Sequence, residues 1–419
     1  MTARTGFLKS GHLPTLVGAL LYFDVSFMVW VLLGPLSPFL RDEFALSAAQ
    51  QGLLVAIPLL GGSCFRPILG ALADRIGGRR TGLIGLSLTV GALLFGWLGV
   101  HTVTQLYVLG FLLGVPGASF AVALPLASRW YPPEYQGLAM GIAGAGNSGT
   151  VFATLFAPRL AERFGWNATF AIMLLPVAAV LIAFAAIARD SPVRPTVASW
   201  HDYLAVVKEP DTLWFAWLYS LTFGGFVGFA AFLTTFFHDQ YQVSRVAAGD
   251  FTTVVVVAGS LLRPIGGWLS DRIGGYRLLL GVLGIAAMCI TLVAQIPSLP
   301  AVLVLLFVAM GALGMGNGGV FQLVPQRFGA QMGIVTGVVG AAGGLGGFFI
   351  PSVLGAVKGA TGSYAAGLLL FGTVFSAGTL ALLEAGARWS ARWEPAASGR
   401  AGLFNYRDLL RSLFADESV

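Results

Sequence analysis

Arg66 and Arg263 are the two residues in this sequence best placed to do chemistry. Arg66 stands in SCFRPILGALADRIGGRR, Ser63 to Arg80, and Arg263 in SLLRPIGGWLSDRIGGYR, Ser260 to Arg277. The segments read as copies. Each arginine precedes a proline and lies about eight residues ahead of an aspartate, Asp74 or Asp271, which is about 12 Å of helix. Insertion scales charge about 2.5–3.5 kcal/mol for a guanidinium deep in an apolar span. At that depth it is too far from the interface for easy snorkelling. Two such groups at matching places ask for a shared anionic ligand. A planar guanidinium presents paired N–H donors that fit a flat oxyanion: carboxylate, nitrate, nitrite or bicarbonate.

Other residues narrow this chemistry. Tyr219 and Phe223, in YSLTFGGFVGF, are four apart and share a helix face; Phe120 lies in GASFAVALP. Flat rings beside a flat ion would exclude taller, tetrahedral anions. Asn147 supplies the one polar amide of GIAGAGNSGTVFATLFAP. The stretch Gly144-x-Gly146-x-x-Gly149 formally matches a dinucleotide fingerprint, but no strand precedes it and it sits inside an apolar run. Its glycines instead let a backbone or small ligand approach. GVVGAAGGLGG, Gly337 to Gly347, repeats the glycines without the Asn, and GMGNGGVFQLVP carries Asn317 and Gln322. Asp24 is the one clear carboxyl within a span, able to neutralise one arginine or to carry a proton. Cys64 and Cys289 fall in apolar segments and read as small packing residues.

The elements that must position these groups are membrane helices. Of 419 residues, 57% are apolar and only 10% charged, where a globular chain carries roughly a quarter charged residues; mean hydropathy is +0.83. Twelve segments are long enough to cross a bilayer: 14–40, 51–72, 82–100, 105–127, 137–159, 168–188, 212–236, 248–269, 278–296, 301–324, 332–356 and 365–386. The opening run is too long for a signal peptide. Two groups of six are expected: a first bundle at 1–190, a cytoplasmic linker at 191–210, a second bundle at 211–387 and a cytoplasmic tail at 388–419. About seventeen Lys and Arg fall on the linker side and about five on the other, which places both termini in the cytoplasm. The tail segment Leu403 to Phe414 has the spacing of a helix lying on the inner membrane surface. The net charge of +6 is spread over loops rather than clustered with aromatics, so nucleic acid is not an expected partner.

Two six-helix halves related by a parallel repeat resemble the major facilitator superfamily. The motif G-x-L-A-D-R-x-G-G-R-R, Gly70 to Arg80, resembles that superfamily's loop after its second helix, with an echo at Gly267 to Arg277. The resemblance implies structural and gating roles for Asp74, Arg75, Asp271 and Arg272. FDVSFMVWVLLGPL, GASFAVALP, the Gly-x-Gly-Asn-x-Gly stretch, TFGGFVGF and GMGNGGVFQLVP together are similar to the nitrate/nitrite porter family within it. That likeness implies that Arg66 and Arg263 clamp the anion. Phe120, Tyr219 and Phe223 would flank it, Asn147 would hydrogen-bond it, and Gly343 and Gly344 would approach it from the other half. The eleventh span lacks an Asn to match Asn147.

The expected protein is therefore an all-α membrane protein, a monomer in the cytoplasmic membrane. It would import nitrate, and also nitrite, by alternating access without a cofactor. Import of an anion against an inside-negative potential costs about 2.3 kcal/mol per 100 mV; proton symport through Asp24 would supply that work. Nitrate/nitrite exchange and a formate or oxalate carrier are the alternatives within this architecture. A membrane sensor would need a signalling domain beyond the roughly thirty-residue tail. No polar cluster suggests an enzyme.

Overall fold

The structure, a computed structural model, describes residues 6–192, 200–328 and 332–403. The expected surface helix of the tail, apart from Leu403, lies outside these residues. Every long element is helical, and no strand occurs among the described residues. The spanning helices are α1 (Leu13–Phe44), α2 (Ala48–Ile76), α3 (Gly78–Leu98), α4 (Val103–Ser128), α5 (residues 133–164) and α6 (Trp166–Ile187) in the first half. The second half holds α7 (Pro210–Tyr241), α8 (Arg245–Ile273), α9 (Gly275–Val293), α10 (Leu299–Phe328), α11 (Met332–Thr361) and α12 (Ala365–Arg392). Eleven of them are long and apolar enough to cross a membrane. The twelfth, α5, was expected as one run. It is divided into Pro133–Gly144, a 3₁₀ turn at Ala145–Ser148, and Gly149–Phe164. Three residues of this turn, Gly146, Asn147 and Ser148, hold the α-register weakly.

Helix ends follow local chemistry and repeat between the halves. Ser47 opens α2 with a capping box to Gln50, and Ser244 caps α8 on Ala247. Gly77 and Gly274 end these helices at φ +96 and +89, a region that only glycine enters without strain. The motif residues lie at these ends, on the face that carries the linker. Asp74 pairs with Arg129 at 2.7 Å, and Arg272 lies 3.9 Å from the Trp268 ring centre. The first motif loop is held within its own bundle, where the Arg79 amide donates to Asp190. In the second, Gly275 N donates to Gln322, which donates on to Arg400 O in the short helix Pro395–Ala401.

Asp211 anchors the linker-side end of α7. It is 7% exposed and accepts from Arg327 Nε at 2.5 Å, Trp389 Nε1 at 2.8 Å and Trp393 Nε1 at 3.3 Å. Asp211→Asn keeps the shape and removes the charge that strengthens these bonds, a loss of about 1–3 kcal/mol. Thermal unfolding of the detergent-solubilised variant should begin at a lower temperature than wild type. An unchanged midpoint would show that the hub contributes little.

Between the halves, α1, α2 and α5 meet α7, α8 and α11. Polar contacts between bundles gather at the face opposite the linker: Ser37 with Thr235, Arg41 with Asp239, Arg245 with Asp42, and Arg159 with Asp250. Toward the linker face several helix glycines are left uncovered. Nothing lies within 4 Å of a Cβ built on Gly141, Gly144 or Gly337, and Leu138 is 51% exposed.

Candidate functional site

Four spanning helices lose their α-register partway along their length. α1 breaks at Val31–Leu32, just after Trp30, and α4 breaks at Ala118–Ser119, just before Phe120. α5 passes through its 3₁₀ turn at Asn147, and α7 through a π-turn at Ser220–Gly224, between Tyr219 and Phe223. Irregular backbone inside a membrane is tolerated where it is buried in protein or lines a cavity, and π-turns favour functional sites. Here the breaks surround the two arginines.

Arg66 reaches this point from α2 and is 2% exposed. Its Nε donates to Gly117 O at 3.2 Å, and its Nη1 donates across the bundle interface to Gly340 O of α11. Nη2 is buried with no partner. The guanidinium carbon lies 5.3 Å from the Trp30 ring centre, 5.5 Å from Phe120 and 5.1 Å from Phe223, within cation–π range of all three. Trp30 is held by its indole N–H, which donates to Pro58 O at 2.7 Å. It carries no signal in the sequence beyond an aromatic among aromatics.

Arg263 comes from α8, half-buried, with Nη1 buried and unpartnered. It lies within electrostatic reach of Arg66 and beside the Tyr219 hydroxyl. Among the described residues neither arginine forms an ion pair with a carboxylate. Each bundle thus brings one buried, unspent N–H donor to the interface. Buried charge without a partner is costly, and a bound anion would relieve it.

The remaining sequence candidates divide cleanly. Tyr219 and Phe223 stack at 5.0 Å and 4°, so they form one slab rather than two walls, and Phe120 and Phe223 flank the Arg66 guanidinium. Phe321, not singled out in the sequence, joins Phe120 at 5.9 Å and Tyr219 at 4.9 Å. A Cβ on Gly343 would lie 2.5 Å from Tyr219 Cδ1 and 2.9 Å from Phe223 Cδ1, and one on Gly344 would strike Ser63 one turn ahead of Arg66. Asn147 is fully buried with both amide atoms unpartnered. Its turn lies backbone to backbone on α1, since a Cβ on Gly146 would come 2.8 Å from Asp24 N.

Asp24 stands apart from the arginines. Its carboxylate accepts from Ser148 Oγ at 2.7 Å. It lines a lateral crevice of about 350 Å³ with Leu21, Met28, Phe152, Phe156 and Met173, on the outer side of the α5 turn. The neutralisation of an arginine by Asp24 is therefore not what this conformation holds. Asp74, Arg75, Asp271 and Arg272 lie toward the linker-face ends of α2 and α8, away from the arginine cluster.

A bilayer-spanning pair of six-helix bundles with an interfacial cationic site defines a membrane transporter fold. The sequence pattern of the Major Facilitator Superfamily matches residues 18–351, and the chain belongs to that superfamily. It is 38% identical over 369 residues to the "Probable nitrate/nitrite transporter NarK2" of Mycobacterium tuberculosis, covering 86% of this chain and 93% of that one. It is 35% identical over 355 residues to the "Nitrite extrusion protein" of Bacillus subtilis, covering 83% and 88%. The xylose transporter XylE from E. coli, in a partially occluded inward open conformation, shares the fold at a TM-score of 0.72 and 14% identity, covering 90% of this chain and 99% of that one.

Proposed function

We propose that the protein imports nitrate, and also nitrite, across the cytoplasmic membrane by alternating access, with both termini in the cytoplasm and the monomer as the working unit. One observation carries this reading. Arg66 Nη2 and Arg263 Nη1, one from each bundle, are buried donors without partners, and among the described residues neither arginine pairs with a carboxylate. An ion with oxygens in one plane can accept from both guanidinium edges while lying against flat rings. The names of the two relatives agree with this substrate class. The motif residues at the ends of α2 and α8 would then guide the rocking of the bundles.

Proton symport is the coupling proposed, with Asp24 as carrier. Ser148, which Asp24 holds at 2.7 Å, adjoins Asn147 in the same turn. Protonation of Asp24 would remove a charge-assisted bond and free that turn to move. A second reading, nitrate/nitrite exchange, is favoured by the placement of Asp24 off the arginine cluster, since exchange of like charges needs no proton. Purified protein in vesicles loaded with a pH dye separates the two. External nitrate should acidify the lumen without internal nitrite, and Asp24→Asn should abolish that acidification. Uptake that requires internal nitrite would establish exchange. An Asp24→Asn protein that still concentrates nitrate with protons would remove Asp24 from the coupling. No nitrate movement in either arrangement would overturn the transport reading.

A further inference from the structure

We infer that Asn317 is a ligand of the transported anion and that α10 thereby supplies the side-chain amide that the glycine-rich stretch of α11 lacks. The inference rests on the nitrate reading above and assigns to one residue the preference for nitrate over nitrite.

Asn317 is 0% exposed, and neither Nδ2 nor Oδ1 has a hydrogen-bond partner. Asn147 of the other bundle is in the same state, whereas Asn167, elsewhere in the fold, caps its own following amide at 2.9 Å. An orphan buried amide is destabilising, and native proteins keep few of them. Two such amides, one per bundle, are better explained by a bound ligand than by packing.

The packing of α10 fixes where Asn317 points. Cβ atoms built on Gly314 and Gly318 would strike Gly259 and Gly267 of α8. Those contacts bracket both Asn317 and Arg263, and so set them at one depth. On the other flank, a Cβ on Gly316 would lie 2.7 Å from Thr222 Cγ2 of α7. With about 100° between successive residues, Asn317 projects into the wedge between α7 and α8. Phe321, one turn along the same face, confirms that direction, because its ring meets Tyr219 and Phe120. The wedge also holds two further buried polar atoms without partners, Arg263 Nη1 and Thr222 Oγ1.

The chemistry follows from counting oxygens. Nitrite offers two acceptor oxygens, which the two guanidinium edges can satisfy. Nitrate has a third, whose lone pairs can accept from Asn317 as well as from Asn147. A neutral amide N–H suits it, because a third cation would leave excess charge once the ion departs. Removing one hydrogen bond to a charged group lowers affinity about tenfold or more. That loss should fall mainly on nitrate.

The test measures nitrate and nitrite transport by the full-length protein in vesicles, with unfolding midpoints taken in the absence of either ion. Asn317→Ala should leave the ligand-free midpoint unchanged or raised, since it deletes an orphan polar group. It should raise the nitrate KM about tenfold and the nitrite KM less than about threefold. Asn317→Ser, which keeps a small donor, should fall between Asn317→Ala and wild type and guards against a misfolded Ala variant. Nitrate and nitrite KM values that move together, or not at all, while Arg263→Lys abolishes uptake would overturn the inference and leave the transport reading standing. So would a lowered ligand-free midpoint with an unchanged nitrate-to-nitrite ratio, which marks a structural amide. Wild-type protein that moves neither ion would overturn both.

Discussion

Arg66→Lys and Arg263→Lys are each expected to leave less than about one tenth of wild-type nitrate transport, although both keep the positive charge. Arg66 divides its donors three ways: Nε to Gly117 O, Nη1 to Gly340 O, and Nη2 unspent. A lysine ammonium is one compact, strongly hydrated centre that cannot hold two carbonyls on different helices and still face a ligand with a fixed edge. It also stacks less well than a guanidinium among the Trp30, Phe120 and Phe223 rings, which lie 5.1–5.5 Å from the Arg66 carbon. The loss of one charged hydrogen bond is worth about 1.5–3 kcal/mol, or roughly tenfold to a hundredfold. The measurement is initial uptake of nitrate into vesicles, corrected for protein inserted. A Lys variant within about twofold of wild type in both KM and maximal rate would show that charge alone suffices, and the fork geometry would have to be abandoned.

Much of this site was legible in the sequence because its two most expensive residues were repeated. An arginine in lipid is costly wherever it falls, so a matched pair stands out as a candidate site before any fold is known. The spans were legible for the same reason, since hydropathy reports on transfer into lipid. Other features were hidden. The acceptors that orient Arg66 are carbonyls of Gly117 and Gly340, and any residue can supply a carbonyl. The breaks at Val31–Leu32, Ala118–Ser119, Ala145–Ser148 and Ser220–Gly224 change hydrogen-bond register over a turn or less, which a hydropathy window averages away. The spacing of Tyr219 and Phe223 suggested a shared face, and the rings do stack, yet the backbone between them is a π-turn. For Asp24 the depth was legible but not the side. Which way a carboxylate faces depends on which neighbours α1 packs against, and those come from α5 and α6, more than a hundred residues away.

Gly355→Ala and Gly359→Ala are the same substitution one helical turn apart on α11, and they are expected to behave differently. A Cβ on Gly355 would lie 2.6 Å from Ala48 O and 2.8 Å from Gly52 Cα, where the backbones of α2 and α11 touch. A Cβ on Gly359 meets Ala49 N at 3.7 Å, an ordinary contact. The Gly355 contact belongs to the face opposite the linker, where Arg41 and Asp239 pair at 2.8 Å and Thr253 Oγ1 donates to Thr154 Oγ1 at 2.8 Å. Overpacking there costs about 1–3 kcal/mol. In an alternating-access cycle only the state with this face closed bears that cost, so the balance shifts toward the state open on this face by roughly fivefold to 150-fold. Turnover needs both states, and nitrate uptake by Gly355→Ala should fall about tenfold or more, while Gly359→Ala stays within about twofold of wild type. An impermeant thiol reagent supplies an independent readout through Thr235→Cys, placed in a Cys64→Ala background because Cys64 is exposed. Thr235 is 1% exposed with this face closed, so its labelling should accelerate in Gly355→Ala and not in Gly359→Ala. Equal labelling rates in the two backgrounds, or equal uptake, would mean that the backbone contact between α2 and α11 does not set the closed state, and the ion pairs at that face would then have to hold it alone.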